Sequence, residues 1–256
     1  DEKDLIQTQK VFPILTDKFK TMFPSEESYY YYDDKLKQYE FMVENDIPCL
    51  ETHYVASKEE IEKLNINFPI VAKKTWGAEQ INYFETLDSV VDDETTRSWT
   101  QESIYPCLVQ EYEDVDYDLR IVIIDKKVFS HKRMHKWKTG NKDNFPYGMP
   151  ETPREKVLKY RHSPYVALEQ KICNDSELLD LVDLTTKLQK MQETKLNTKH
   201  MSWDIVNGKV LEFSYISTLG LVGRHYDLSK KKICDFKNFE LNSIKHLECL
   251  LVEYIK

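Results

Sequence analysis

The stretch from Met201 to Ser217 reads M-S-W-D-I-V-N-G-K-V-L-E-F-S-Y-I-S, and it predicts a β-hairpin. Large apolar residues alternate with polar ones on both sides of the Asn207-Gly208 pair, which is the period of half-buried strands. Asn-Gly is the strongest short-range turn signal, because both residues tolerate a positive φ. This hairpin is therefore the best-defined element of the sequence.

The register of the hairpin decides whether its two acids, Asp204 and Glu212, share a face. A two-residue loop would put their carboxylates on opposite faces of the sheet. A three-residue loop with a glycine bulge pairs Val206 with Val210 and sets Asp204 directly opposite Glu212. We predict this second register, since it also gathers four large apolar residues on the other face: Trp203, Ile205, Leu211 and Phe213.

Two carboxylates side by side on one sheet face repel each other, so a cation is expected beside them. The stretch from Met201 to Ser217 offers oxygen ligands and neither a histidine nor a thiolate, a set that suits Mg²⁺ bound to phosphates. The alternative is a hairpin with one wet face and two unrelated acids, which is common on exposed sheets. The hairpin alone leaves both interpretations open.

Length and composition indicate an ordinary globular protein of one large domain or two small ones, with 256 residues, 41% hydrophobic and 31% charged. The net charge of −8 argues against a general binder of nucleic acid or anionic membranes. No apolar run approaches 18 residues, and the first residues do not form a signal peptide. Five scattered cysteines without a C-x-x-C pair fit reduced thiols, so we expect a cytoplasmic protein.

Helical periodicity, N-cap residues and breakers predict four helices. Ser57 with Glu60, and Asn174 with Glu177, have the spacing of capping boxes. The third helix is expected to pack on the apolar side of the central hairpin. The predicted helices are Asp33 to Asn45, Ser57 to Leu64, Asn174 to Leu196 and about Asn242 to Ile255.

Three further strand regions precede the central hairpin. Ile70 to Lys73 is a short buried strand that ends in lysines before a turn at Gly77, and a lysine there can reach a phosphate. The commoner alternative is a solvated lysine pair. Leu108 to Tyr112 is a second apolar strand. A hairpin then joins Leu119–Ile124 to Val128–Arg133 around Asp125-Lys126-Lys127.

A basic segment, residues 130 to 145, concentrates positive charge in an acidic chain, which indicates an anion site as readily as a solvated loop. The long connection from Lys142 to Pro164 is typical of lids or binding loops. The seven histidines form no recognisable catalytic arrangement, and surface positions are an open alternative for His131 and His135. The basic side chains of the segment are Lys132, Arg133, Lys136, Lys138 and Lys142.

In this order, from about Asp34 to Ser217, the elements resemble the ATP-grasp superfamily, and within it the ribosomal-protein glutamate ligases and related peptide ligases. The resemblance implies an α+β fold in which two α+β subdomains grip ATP. It implies an abbreviated N-terminal segment at 1–33, an N-terminal subdomain at 34–112 and a C-terminal subdomain at 113–256.

The resemblance also assigns nucleotide-binding residues. Lys35 and Lys73 match the two lysines that reach the α- and β-phosphates. The segment L-V-Q-E-Y resembles the hinge strand whose backbone meets the adenine edge, at Gln110, Glu111 and Tyr112.

The remaining carried-over positions concern the ribose, the transferred phosphate and the metal. Asp118 falls where the family places an acid for the ribose hydroxyls. Arg120 completes a D-x-R pattern, and both it and Arg133 are implied to be catalytic residues at the transferred phosphate. The implied magnesium ligands are Asp204, Glu212 and Ser214.

The implied function is an ATP- and Mg²⁺-dependent carboxylate–amine ligase that forms an amide through an acyl phosphate. Its partners would be small-molecule or peptide carboxylates and amines, without nucleic acid or membrane, and a homo-oligomer is left open. Ser214 stands where the family usually has asparagine, and the glycine loop is reduced to Trp76-Gly77-Ala78. A kinase on the same scaffold and a nucleotide-binding module without turnover are therefore the alternatives.

Overall fold

The computed structural model describes residues 24–76, 81–90, 105–135, 168–215 and 224–235. Within these ranges a short 3₁₀ turn covers Leu87–Ser89. The helices are α1 (Glu26–Tyr30), α2 (Lys35–Glu44), α3 (Lys58–Ile61), α4 (Asp175–Asp180) and α5 (Val182–Thr194).

A small antiparallel sheet is built from the first four strands in the order β1-β4-β2-β3. Its apolar side chains form a core of their own around Ile70, Val109 and Phe84. The strands are β1 (Thr52–Val55), β2 (Ile70–Lys74), β3 (Ile81–Phe84) and β4 (Cys107–Glu111).

A seven-stranded antiparallel sheet follows in the order β11-β10-β6-β5-β8-β9, and β7 pairs with the later part of β6. The α+β class predicted from the sequence is confirmed. The strands are β5 (Tyr117–Ile124), β6 (Lys127–His135), β7 (Leu168–Ile172), β8 (His200–Val206), β9 (Lys209–Ser214), β10 (Arg224–Asp227) and β11 (Lys232–Asp235).

The central hairpin, β8–β9, sets Asp204 directly opposite Glu212 as predicted, but by a different route. Val206 pairs with Lys209, so the loop has two residues and the predicted three-residue loop is wrong. Both turn residues have positive φ, 49° at Asn207 and 75° at Gly208, which matches the twist of the flanking strands.

The bulge lies one pair further into the hairpin. Ile205 pairs with Val210 while Asp204 pairs with Glu212, which leaves Leu211 as the extra residue. An extra residue shifts the alternation of the strand by one position. Val210 is therefore fully buried in the core, in place of the predicted Leu211.

The main apolar cluster of the large sheet lies on the face that carries Trp203. Trp203, Ile205 and Phe213 lie in one cluster with Leu188 of α5, so the predicted packing of this helix on the hairpin is confirmed. The predicted single helix from Asn174 to Leu196 is wrong, because the backbone at Leu181 (φ −92°, ψ −3°) ends α4 before α5 begins.

Both predicted N-cap residues, Ser57 and Asn174, precede helices, but the predicted capping box forms at only one of them. Asn174 and Glu177 form a reciprocal capping box at α4. Ser57 makes no side-chain cap at α3, and Glu60 accepts the N–H of Ala56 at 2.7 Å instead. The helix predicted from Asn242 to Ile255 lies outside the described residues.

The second predicted hairpin has a shorter loop than expected. Ile124 pairs with Lys127, so Asp125 (φ 53°) and Lys126 alone form the turn between β5 and β6. Lys127 therefore belongs to β6. Of the described helices, none combines the length and apolar character needed to cross a membrane.

Helix α2 connects the two sheets. At its start, the Lys35 N–H donates to the Thr75 carbonyl at 2.9 Å, just beyond β2. Further along, the Gln38 side-chain oxygen accepts the N–H of Phe213 in β9 at 3.0 Å, and the Phe41 ring lies 5.4 Å from the Phe213 ring. The end of β2 is thereby held beside the hairpin that carries the two acids.

Substitution of Gly208 by alanine tests the two-residue turn. Nothing lies within 4 Å of the added Cβ, so the cost is conformational and comes from φ = 75°. We expect a loss of about 1–2 kcal/mol in the free energy of unfolding, measured by urea denaturation. Asn207→Gly keeps the turn geometry and should change stability by less than about 0.5 kcal/mol. Equal losses in both variants would contradict this turn.

Candidate active site

One face of the large sheet carries a row of polar side chains from four neighbouring strands. Glu212 is paired with Asp204, Asp204 with Arg120, and Arg120 with His131. Directly paired residues in an antiparallel sheet project from the same face, so the register alone brings these four side chains together. We call this set the charged row.

Asp204 is the buried centre of the charged row, with only 4% of its surface exposed. Arg120 binds it with two parallel hydrogen bonds of 2.7 Å, from Nε and Nη2. Arg133 adds an ion pair of 3.0 Å to Oδ2. A buried and doubly paired carboxylate excludes the alternative of an acid on a wet sheet face.

The two arginines keep the Asp204 carboxylate ionised. Burial raises the pKa of Asp204, but the charges of Arg133 and Arg120 and their hydrogen bonds outweigh it and hold the pKa below its ordinary value. Asp118 is buried as well, and it accepts a hydrogen bond from Nε of Arg133. Acids and arginines thus alternate along one chain of ion pairs, in the order Asp118, Arg133, Asp204 and Arg120.

Asp118 therefore lies in the site, where its observed partner is an arginine. A carboxylate bound in this way fixes the direction of the Arg133 guanidinium. The role at the ribose hydroxyls stays a prediction, and the structure adds a positioning role for the same acid.

Glu212 is half-buried, and among the described residues its carboxylate accepts no hydrogen bond and forms no ion pair. Ser214 lies two residues further along β9 and so projects from the same face, while its carbonyl accepts the Ser202 hydroxyl at 3.0 Å. Two carboxylates and a hydroxyl are hard oxygen donors, and these residues fit Mg²⁺.

Lys73, at the end of β2 in the small sheet, lies within electrostatic range of the charged row. Burial and the nearby Lys35 lower its pKa from 10.5 to about 8, while Glu212 and Asp204 act in the opposite direction. Helix α2, which begins at Lys35, also holds the end of β2 beside the hairpin that carries the two acids. The structure thus brings Lys35, Lys73 and the two acids together, although they come from both sheets.

Several hydrogen-bonding groups at the end of β4, where the adenine contact is predicted, already have partners within the protein. The Gln110 amide donates to Thr52 Oγ1 at 2.7 Å inside the core, and Glu111 accepts two hydrogen bonds from Asn67. The Tyr112 N–H donates to the Pro69 carbonyl at 2.9 Å. The predicted adenine contact of this stretch therefore depends on its other backbone groups, and it stays a prediction.

Tyr112 packs edge-on against Tyr83 at 5.1 Å between ring centroids. Burial, with Asp114 and Tyr83 nearby, raises the pKa of Tyr112 to about 12, so its hydroxyl is neutral and can donate. Its ring is an apolar surface at the end of the small sheet.

His131 is the residue of the charged row to which the sequence assigned no role. It is 2% exposed, which contradicts a surface position, and burial lowers its pKa below 6.5. Neither ring nitrogen has a hydrogen-bond partner among the described residues. The one sequence signal for His131 is its position opposite Arg120 in the β5–β6 pair, and this position is known only once that pairing is known.

The basic segment divides between the two faces. Arg133 projects from the face that carries the charged row. Lys132 projects from the opposite face, where it binds Glu177 of α4 and lies 4.8 Å from the Tyr117 ring centroid. The anion role predicted for Lys132 is therefore wrong at this site, because alternate residues of a strand face opposite sides. The remaining lysines of the segment and Gly77 lie outside the described residues.

Comparison with solved structures decides the fold. The ATP-grasp ligase PsnB, complexed with a phosphomimetic variant of its minimal precursor, Mg and ADP, aligns over 86% of this chain with a TM-score of 0.52 and 13% identity. The chain has the ATP-grasp fold. The ADP complex of N5-carboxyaminoimidazole ribonucleotide synthetase (11% identity, 77% of this chain) and the ATP complex of an Aspergillus clavatus carboxyaminoimidazole ribonucleotide synthase (12%, 81%) also give TM-scores of 0.52.

These likenesses concern the fold and not the sequence. No family model and no curated protein matches this ATP-grasp chain. The chain spans 62% of the PsnB structure, 48% of the synthetase and 52% of the synthase. The fold inferred from the sequence resemblance is confirmed, and what the chain acts on must be argued from its own site.

Titration of Lys73 tests whether the two sheets face each other at the charged row. We expect a midpoint near pH 8 for its ε-methylene carbon signal in ¹³C NMR. Glu212→Gln removes a negative charge and should lower the midpoint further, whereas Lys35→Ala should raise it. The matched control is Glu111→Gln, at the exposed end of β4, which should have no effect. A Lys73 midpoint that is unchanged in Glu212→Gln would show that the lysine does not lie near the acid pair.

Proposed function

We propose that this ATP-grasp chain is an ATP- and Mg²⁺-dependent ligase that joins a carboxylate to an amine. The single observation that carries the proposal is that helix α2 holds the end of β2, with Lys73, beside the hairpin that pairs Asp204 with Glu212. A lysine facing an acid pair across two sheets suits a metal-bound triphosphate. The PsnB structure, an ATP-grasp ligase with Mg and ADP, supports the same use of the fold.

The charge balance of the site favours a polyanionic ligand. Four cations (Lys35, Lys73, Arg120 and Arg133) accompany three acids (Asp118, Asp204 and Glu212), an excess of one positive charge in a chain of net charge −8. Lys35 and Lys73 would bind the α- and β-phosphates, and the arginines the γ-phosphate. A bound Mg²⁺ would neutralise phosphate charge, held by Asp204, Glu212 and Ser214.

The pairing of Asp204 with two arginines indicates how ATP and a metal would bind at this site. Arg120 and Arg133 neutralise the buried Asp204 carboxylate. A phosphate group accepts the same bidentate hydrogen bonds from a guanidinium. The arginines can therefore pass from Asp204 to the γ-phosphate, and the carboxylate becomes available to a metal that arrives with ATP.

The proposed reaction needs charge neutralisation and alignment and no protein nucleophile. The substrate carboxylate attacks the γ-phosphate, the bond to the β-phosphate breaks, and an acyl phosphate and ADP result. An amine then attacks the acyl carbon, phosphate leaves as the amide forms, and the proton that the nitrogen loses passes to the released phosphate. Arg120 and Arg133 would bind the oxygens that gain negative charge in both steps.

Glu212→Gln tests the metal assignment. We expect Mg²⁺-dependent ATP affinity to fall about tenfold to a hundredfold, since a charged ligand contributes about 1.5–3 kcal/mol. The folded state should persist, because Glu212 is half-buried and lies outside the apolar core. Affinity is measured by calorimetry with and without Mg²⁺.

The control for this substitution is Glu177→Gln, which also replaces a half-buried glutamate of the large-sheet region, where glutamine can keep the capping hydrogen bond. Nucleotide affinity should be unchanged in this control. A Glu212→Gln protein that unfolds, or that binds Mg·ATP normally, would show that the metal lies elsewhere.

The reaction class is tested by phosphate release from ATP across a panel of amino acids, peptides and other carboxylates with amines. We expect release that requires both a carboxylate and an amine, and a new amide in the mass spectrum. A stable phosphorylated acceptor would identify a kinase instead. Nucleotide binding without turnover under every mixture would identify a binding module, the alternative that Ser214 motivates.

A further inference from the structure

A second cluster of ligand-type side chains lies at the β10–β11 edge of the large sheet. His225 and Asp227 are two residues apart on β10, and Cys234 pairs directly with His225 on β11. All three side chains project from one face, and their nitrogen, oxygen and sulfur atoms lie within 4.8 Å of one another. His225 and Asp227 are 5% and 3% exposed, and Cys234 is half-buried.

This cluster lies apart from the acid pair of the charged row. The strand order places β5 and β6 between β10 and the acid-bearing strand β8, although β6, which carries His131, is the direct neighbour of β10. Three steps of about 4.8 Å put the cluster roughly 14 Å from Asp204 along the sheet. The cluster is therefore too far from Asp204 to share a metal ion with it.

Each side chain of the cluster is held in place by the fold. The Asp227 Oδ1 accepts the N–H groups of Ser229 and Lys230, both at 3.0 Å, and the Ser229 hydroxyl at 2.5 Å. The His225 ring packs against Phe129 at 5.2 Å between centroids. Supporting contacts of this kind orient metal ligands in proteins.

The Asp227 carboxylate is anionic although it is buried. Burial raises the pKa of Asp227, but hydrogen bonds from Ser229 and Lys230 outweigh it and hold the pKa below its ordinary value. Oδ2 pairs with the Lys230 ammonium at 3.1 Å, and that lysine is 61% exposed. Lys230 can turn into water and leave this oxygen to another cation.

A turn cap alone does not explain the cluster. The hydrogen bonds to Ser229 and Lys230 make Asp227 a turn residue, and that role needs neither an imidazole nor a thiol beside it. Histidine and cysteine on paired positions of the same face supply the two ligand types that transition metals prefer.

We propose that His225, Asp227 and Cys234 bind a divalent transition metal of the zinc class. The mixed nitrogen, oxygen and sulfur set suits Zn²⁺, and a thiolate disfavours Mg²⁺. Binding converts the Cys234 thiol into a thiolate and releases one proton to solvent. The metal then links β10 to β11 and fixes this edge hairpin against β6.

Cobalt titration of the full chain under phosphine-reduced conditions tests the site. Co²⁺ takes the place of Zn²⁺ and gives a sulfur-to-metal charge-transfer absorption only when a thiolate is a ligand. We expect this band in the wild type, its loss on adding Zn²⁺, and its absence in Cys234→Ser. Cys49→Ser, which removes another half-buried thiol, should keep the band. No band in the wild type, or a band that survives Cys234→Ser, overturns the proposal.

Asp227→Asn separates ligation from turn capping, because an amide oxygen still accepts the hydrogen bonds of Ser229 and Lys230. We expect its zinc affinity to fall by more than the ~10–100-fold that loss of a supporting contact costs. Wild-type affinity in this variant would overturn the three-ligand site. Glu212→Gln should keep the cobalt band, so failure of this proposal and failure of the proposed ligase are distinguishable.

Discussion

The burial of the Asp204 carboxylate is the constraint on which the polar side of the large sheet depends. An unpaired buried carboxylate costs several kcal/mol, so the fold needs cations on nearby strands. Arg120 of β5 and Arg133 of β6 supply them, and Arg133 in turn pairs with Asp118. Charge neutrality thus fixes the directions of both guanidinium groups.

The two faces of the large sheet have different roles: one packs in the apolar core, and the other carries the charged side chains. Strand β8 is buried on both faces, one apolar and one ionic. Trp203 and Ile205 hold the apolar face against the helices, while Asp204 lies on the other. Because the apolar face supplies the burial, the ionic face can carry groups whose partners change when a ligand binds. Helix α2 packs on the first face and also holds the end of β2, so it sets the distance between Lys73 and the acids.

The two proposed metal sites divide along the hardness of their donors. Asp204, Glu212 and Ser214 offer oxygen only, and His225 with Cys234 offers nitrogen and sulfur. The oxygen-only site therefore favours Mg²⁺, and the site with nitrogen and sulfur ligands favours Zn²⁺. Solved ATP-grasp structures resemble this chain at 11–13% identity, so the fold accepts very different sequences.

The sequence by itself determined the hairpin and the order of elements, because alternation and turn residues are local signals. The fold was inferred from the resemblance of these ordered elements to the ATP-grasp superfamily. The sequence placed Asp204 opposite Glu212 correctly, but through a three-residue loop that is wrong. It did not determine the bulge at Leu211, since two loop geometries give the same acid pair. The pairing of Arg120 with Asp204 joins residues 84 positions apart, and the burial of His131 follows from that same strand order. Only the tertiary structure decides which strands are neighbours, because their pairing depends on the packing of the whole sheet and not on any one segment.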